Sequence, residues 1–223
     1  MKIFIDHHLG MGDTIVHNGL VRKISEENPD DEVYVLSKSQ YFENVKFMYR
    51  DNKKIVVISN SDTNFNDLKF DIKISTYLSE FNYDCYFDDA FFMTAKMNPE
   101  VKTEYFYLFR DENRENEVFK QLITSQGIVD YTFLHEKKDV GIRIDRNRIE
   151  KKLPIVCASE EYSIFDLLKV IENAKSVNLI SSSFLSLMMC KKYNKNIFAH
   201  MYCDNGRKHI SSYVEKHNIN VLL

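Results

Sequence analysis

The sequence predicts an α/β protein made of two Rossmann-like halves, each a doubly wound parallel sheet, facing a central cleft. Three observations carry this expectation. Short β-branched and aromatic runs alternate with helical patterns along the chain, a glycine-bearing turn joins the first such run to the first helical pattern, and a serine-rich turn repeats that geometry in the second half. A chain of 223 residues buries a substantial core, and with only three prolines and six glycines to punctuate it, periodicity must mark the elements.

Lys2 to Asp6 has strand content, and Ile15, Val16, Leu20 and Ile24 recur on one face of a helix reaching Glu27. Glu32–Ser37 reads as a strand, Tyr41–Tyr49 as a helix or turn, and Lys54–Ser59 and Asp71–Thr76 as two further strands. Phe81–Phe109 is rich in Tyr and Phe without a clean period and reads as a connecting region, followed by a charged helix over Asp111–Gln126. A second series opens with strands at Tyr131–His135, Val140–Ile144 and Ile155–Ala158. The helix Ile164–Ala174 follows, with Ser163 and Asp166 at capping-box spacing. Strand Ser176–Ile180, helix Phe184–Tyr193, strand Asn196–His200, a short helix near Ile210–Lys216 and strand Asn220–Leu223 complete it. The expected domains are 1–127, a first Rossmann-like half with the connecting region, and 128–223, a second Rossmann-like half.

A hydrophobic fraction of 44%, a charged fraction of 28% and a net charge of −3 describe an ordinary soluble protein with no broad basic field. Nucleic acid is therefore not an expected partner, and small ligands are. No run approaches the roughly 20 apolar residues that span a bilayer, and Asp6, His7 and His8 interrupt any signal-peptide core. A cytoplasmic protein is expected, with peripheral membrane contact left open. The four cysteines form no CxxC pair and read as reduced, packed thiols. His200, Cys203, Cys190 and His209 match no standard zinc spacing, and ordinary packing is preferred for them.

The turn HHLGMGDT is the first candidate site. Gly10 and Gly12 permit close approaches that a Cβ would block, and the amides of the following helical turn favour an anion, above all a phosphate. Asp13 would repel a phosphate directly opposite, so its carboxylate is expected to serve as N-cap or to face a sugar hydroxyl. On an alternating strand only one of His7 and His8 faces a ligand. In the second half Ser181, Ser182 and Ser183 gather hydroxyls and amides at the start of a helix, where a diphosphate would sit well. A plain serine N-cap is the competing reading.

His135 ends its strand beside Lys137, Lys138, Arg143, Arg146 and Arg148, a local cluster able to neutralise a diphosphate, although Arg146 and Arg148 read better as a solvated hairpin. Asp88 and Asp89 lack a third ligand and read as a helix start or solvent edge. No nucleophile elbow, Walker loop or HExxH is present, and the first turn lacks the third glycine of a dinucleotide fingerprint.

The opening HHLGMGDTIVHNGLVRKISEENPDDEVYVLS resembles that of GT-B glycosyltransferases of the heptosyltransferase type, which place a GxGD loop, a helix with a late Arg, a Pro and a second strand in this order. Here these are Leu9–Asp13, Arg22, Pro29 and Val33–Leu36. The segment SIFDLLKVIENAKSVNLISSSFLSLMMCKKYNKNIFAH is similar to the donor-binding region of the same family, although Phe184, Leu185 and Ser186 stand where the family usually carries a glycine and a nearby histidine. The resemblance implies a compact GT-B-like fold and sugar transfer from a nucleotide sugar to a glycan or other hydroxyl acceptor, without metal and with no cofactor beyond that substrate. It makes Asp13 the general base and places Gly10, Gly12 and Thr14 around the acceptor or donor phosphate. Ser182 and Ser183 would hold the diphosphate, with Lys137, Lys138 or Arg143 offsetting charge on the leaving nucleotide. His8, Gly10, Asn18 and His135 are the expected lining of the cleft. A non-catalytic sugar-nucleotide or glycan-binding module and a sugar-nucleotide epimerase remain the alternatives.

Overall fold

The computed structural model describes residues 1–78, 86–149, 152–193, 196–203, 214 and 219–223. The chain divides into two compact units, Met1–Phe109 and Arg110–Leu223.

In the first unit, β1 (Lys2–Asp6), β2 (Glu32–Ser37), β3 (Ile55–Ser59) and β4 (Ile72–Ser75) form a parallel sheet in the order β3-β2-β1-β4. The chain builds outward from β1 in one direction and then returns to place β4 on the other side. Between β1 and β4 the strand order therefore reverses, and that reversal opens a crevice at the carboxyl ends of the strands. β1 is central, with Ile3, Phe4 and Ile5 buried, and on one face Phe4 stacks on Phe70 at 4.8 Å between ring centroids.

Helix α1 (Met11–Glu27) begins ahead of the apolar spacing that starts at Ile15, because extended Gly10 (φ −69°, ψ 145°) serves as its N-cap. Asp13 is consequently a first-turn residue and not the N-cap. Helix α2 (Phe42–Tyr49) follows β2. Part of the expected connecting region folds as α3 (Phe87–Thr94) and α4 (Val101–Glu104). α4 lies so close to α1 that a Cβ on Gly19 would stand 2.3 Å from the Val101 carbonyl oxygen. With partners on several sides, α1 buries His17, Asn18 and Gly19 along with its apolar stripe.

Helix α5 (Glu112–Leu122), capped by Asp111, belongs to the second unit, so the division falls ahead of the helix and not at 127. The cause is ionic as well as apolar. Arg110 binds the Glu115 carboxylate and makes two bonds of 2.7 and 2.8 Å to Glu172, which also accepts the Tyr193 hydroxyl at 2.9 Å. Glu172 belongs to α6 (Leu168–Asn173), which packs on α5.

The second sheet comprises β5 (Thr132–His135), β6 (Ile155–Cys157), β7 (Ser176–Leu179), β8 (Ile197–His200) and β9 (Asn220–Leu222), all parallel, in the order β6-β5-β7-β8-β9. Its strand order reverses between β5 and β7. Helix α7 (Ser183–Lys191) follows β7. Ser163 and Asp166 form the expected reciprocal pair, each backbone N–H donating to the other side chain at 3.1 and 3.2 Å, although the regular α-helix starts only at Leu168. Val140–Ile144 is not a strand. Lys137 and Ile142 exchange backbone bonds of 3.0 and 2.9 Å around a tight turn closed by Gly141 at φ +77°, which diverts the segment from the sheet. The short helix expected near Ile210–Lys216 lies outside the described residues, Val214 apart.

Candidate functional site

Both candidate turns stand where their sheet reverses strand order, the place at which open α/β sheets bind ligands. In the first unit this is the exit of β1 next to the exit of β4. Gly10 leaves room there and adopts no unusual backbone angle: a Cβ would meet the Asp13 Oδ2 atom at 2.5 Å and push that carboxylate aside. Asp13 thus folds its carboxylate back over the start of its own helix, where the positive end of the peptide dipoles favours an anion. Gly12 sits in the same first turn.

Beneath Asp13 lies a buried polar chain. His17 Nδ1 lies 2.6 Å from the Asp13 carbonyl oxygen, which can only accept, so Nδ1 carries the proton. The bare Nε2 then takes the Thr76 hydroxyl at 2.7 Å, and the Thr76 N–H donates to the Asp6 carbonyl at 2.8 Å. The ends of β1 and β4 are thereby tied to the turn that carries Asp13. His7 stacks on His17 at 4.8 Å and donates from Nδ1 to the His8 carbonyl at 2.6 Å; its buried Nε2 has no hydrogen-bond partner among the described residues. Burial pushes His7 down to about 4, and burial with the neighbouring His7 holds His17 well below the usual imidazole range. Just beyond β1, His7 turns inward, while half-buried His8 takes the Leu78 N–H on Nε2 at 3.1 Å.

Two expected ligands are withdrawn from the turn. The Thr14 side chain is buried and its hydroxyl donates to the Gly10 carbonyl at 3.0 Å, the usual fate of a threonine inside a helix. Asn18 is fully buried and accepts the Tyr107 N–H at 3.0 Å, holding the segment beyond α4 against α1. Arg22 likewise serves the fold, making two bonds to Asp51 at 2.9 and 3.0 Å and one to the Met48 carbonyl at 2.6 Å. Asp88 and Asp89 start α3, and Asp89 pairs with buried Lys102 at 2.9 Å.

In the second unit, His135 at the exit of β5 meets Ser182 at the exit of β7, with Nδ1 and Oγ 3.1 Å apart. Phe184 packs on the imidazole at 4.2 Å. Burial, then the charge of Lys137, pushes His135 down to about 4, so the pair is neutral. Ser182 is the N-cap residue of α7, yet its side chain makes no capping bond, because it is turned to His135. The plain-cap reading is therefore not what this serine does. Ser183 opens the helix at an intermediate exposure beside it.

The basic segment sorts around Glu136. Its carboxylate, 3% exposed, takes Arg146 at 2.7 Å, Lys138 at 3.4 Å and the Ile144 N–H at 3.1 Å. Arg148 lies over the Tyr202 ring at 4.3 Å. Lys137 and Arg143 are exposed and form no ion pair among the described residues. His200, buried and pushed down to about 4, donates from Nε2 to the Asn178 side-chain oxygen at 2.8 Å and accepts the Tyr202 hydroxyl on Nδ1 at 3.0 Å; Tyr202 in turn accepts the Asp145 N–H at 2.9 Å. This relay accounts for His200 as a fold residue.

No family model matches the chain, and no curated protein does. Among solved structures, a family 9 glycosyl transferase from Veillonella parvula is similar at 9% identity, with a TM-score of 0.57, covering 89% of this chain and 80% of that one. The ADP-heptose lipopolysaccharide heptosyltransferase II of E. coli is similar at 10% identity, with a TM-score of 0.60, covering 89% and 84%. The chain has their fold. At these identities the likeness reaches the backbone and not the side chains. Among the described residues, no helix is long and apolar enough to cross a membrane.

Sequence reasoning missed His17, Thr76 and Glu136. His17 stands four residues after Asp13, the spacing at which a side chain returns to a helical carbonyl, so that signal was present. Thr76 could be found only from the parallel pairing of β1 with β4.

Proposed function

We propose that the protein is a glycosyltransferase that takes a sugar from a nucleotide-sugar donor and passes it to a hydroxyl of a glycan or other hydroxylated acceptor. What carries the reading is Asp13, held over Gly10 where the first sheet reverses its strand order, in a fold shared with glycosyl transferases.

In this reaction the acceptor oxygen attacks the anomeric carbon while Asp13 takes the hydroxyl proton. The bond from that carbon to the donor phosphate breaks, and the nucleoside diphosphate leaves with the electron pair. Base assistance of this kind is worth about 10² to 10⁴ in rate. The donor diphosphate is assigned to the start of α7, where Ser182 and Ser183 and the first-turn amides receive it, with Lys137 and Arg143 offsetting its charge. These groups supply the neutralisation that a metal ion provides elsewhere, and no cofactor beyond the donor is needed. His17 and Thr76 are positioning residues for the turn that carries Asp13.

The test is a panel of nucleotide sugars incubated with simple glycoside acceptors, following release of nucleoside diphosphate. Acceptor-dependent release from one donor is expected. Conversion of a nucleotide sugar without any acceptor would replace transfer by epimerisation, and silence from every donor would sink the reading.

A further inference from the structure

Tyr77 is the one aromatic ring at the strand-order reversal of the first unit whose surface is left mostly to solvent, at 54% exposure, among the described residues there. It is nonetheless held in place. Its ring lies flat on His8, with centroids 4.3 Å apart and planes 13° from parallel, and His8 is backed by Phe91 at 5.5 Å. The backbone on either side is fixed as well: the Tyr77 N–H donates to Ser75 Oγ at 3.3 Å, and the Leu78 N–H to His8 Nε2 at 3.1 Å. The preceding residue, Thr76, is fully buried and reaches Asp13 through His17. A one-sided aromatic plate, backed by His8 and Phe91, therefore stands just beyond β4 beside the proposed base.

The rim decides the class of ligand. The Asp6 carboxylate, paired with Lys73 at 2.9 Å, and the Ser75 hydroxyl lie at the ends of β1 and β4, and Asp13 opens α1. Asp13 disfavours a phosphate directly opposite, Lys73 offsets the charge of Asp6, and both carboxylates provide acceptors for hydroxyl groups. An aromatic face carries a negative quadrupole, which suits the weakly positive C–H face of a pyranose ring whose hydroxyls point outward to such acceptors.

We propose that Tyr77 is a saccharide-stacking platform that binds the acceptor's sugar ring beside Asp13; its role in transfer rests on the function proposed above, whereas its binding of sugar does not. A contact of this kind is worth about tenfold in affinity.

The chain contains no tryptophan, so Tyr77→Trp places a single indole at the plate. Its emission is titrated with methyl glucoside, methyl galactoside and N-acetylglucosamine, and with adenosine and uridine as aromatic competitors. Tyr107→Trp, at another exposed tyrosine (51%), is the control. A saturable shift with at least one saccharide, absent from the control, is expected. An acceptor KM raised about tenfold by Tyr77→Ala and largely restored by Tyr77→Phe is expected as well. No response to any saccharide, an equal response in the control, or a response to nucleosides alone overturns the platform. If the indole reports saccharide while no donor is turned over, the platform stands and the transferase reading falls. If transfer proceeds and Tyr77→Ala leaves the acceptor KM unmoved, the reverse holds.

Discussion

The two turns at the strand-order reversals share a topology and differ in chemistry. The first ends β1 and starts α1 with an extended glycine, and the side chain lying over that helix start is an acid. The second ends β7 and starts α7 with a serine whose hydroxyl is drawn away to a neutral histidine, one that feels the charge of exposed Lys137. A helix N-terminus alone attracts anions in both cases. Asp13 places its own negative charge at the first, while the second keeps its amides for a ligand. In the function proposed above, one backbone arrangement serves a proton acceptor in one unit and a diphosphate in the other.

Asp13→Asn attacks this contrast hardest. Turnover should fall by about 10² to 10⁴ while the melting temperature stays within a few degrees, because the carboxylate lies at a helix start and not in the core. An unchanged rate would remove the acid from the chemistry. Ser182→Asp makes the second turn resemble the first, and calorimetry should show nucleoside diphosphate binding weakened by about tenfold to a hundredfold, since the new charge faces the phosphates. Retained affinity would place the donor elsewhere.

Both units also keep buried histidines neutral, which makes acid a probe of their packing. His7, His135 and His200 each titrate near 4 in the fold against an ordinary value of 6.5. Between these values the unfolded chain binds more protons, so stability is complete above about pH 6.5 and declines as pH falls toward 4. Each such group contributes a slope of about 1.4 kcal/mol per pH unit. Denaturant melts across that window should flatten in His7→Gln, and an unchanged slope would show that His7 is not held neutral by burial. The smallest effect is expected from Lys137→Ala with Arg143→Ala. Exposed cations should alter diphosphate affinity only severalfold, and the difference should vanish at about 1 M salt.

Alternating strands and helices made the fold class legible because parallel strands and their crossovers leave a period in the sequence, and the turn at Gly10 and Asp13 declared itself by composition. What stayed hidden is what depends on packing between distant segments. α4 has only four residues, too few to show a period, and it is signalled only by its effect on Gly19, a glycine that the middle of a helix would otherwise disfavour. Met11 stands four residues before Ile15 on the buried face, but the glycines on either side of it read as a turn and hide the start of α1, and Thr14 and Asn18 look like ligands because composition cannot tell a helix-facing hydroxyl or a buried amide from an exposed one. Glu136 was overlooked among the cations it organises, since its burial at 3% comes from tertiary contacts alone.

The proposed function divides the labour between the two helix starts, with the diphosphate at α7 and not at α1. Backbone amide shifts followed by NMR during titration with ADP, UDP, GDP and CDP test it most directly. With one of these nucleotides, the amides of Ser183, Phe184 and Leu185 should move together and saturate, while those of Gly12, Asp13 and Thr14 stay within the noise. Saturable movement of the Gly12–Thr14 amides with Ser183–Leu185 unmoved would contradict the account.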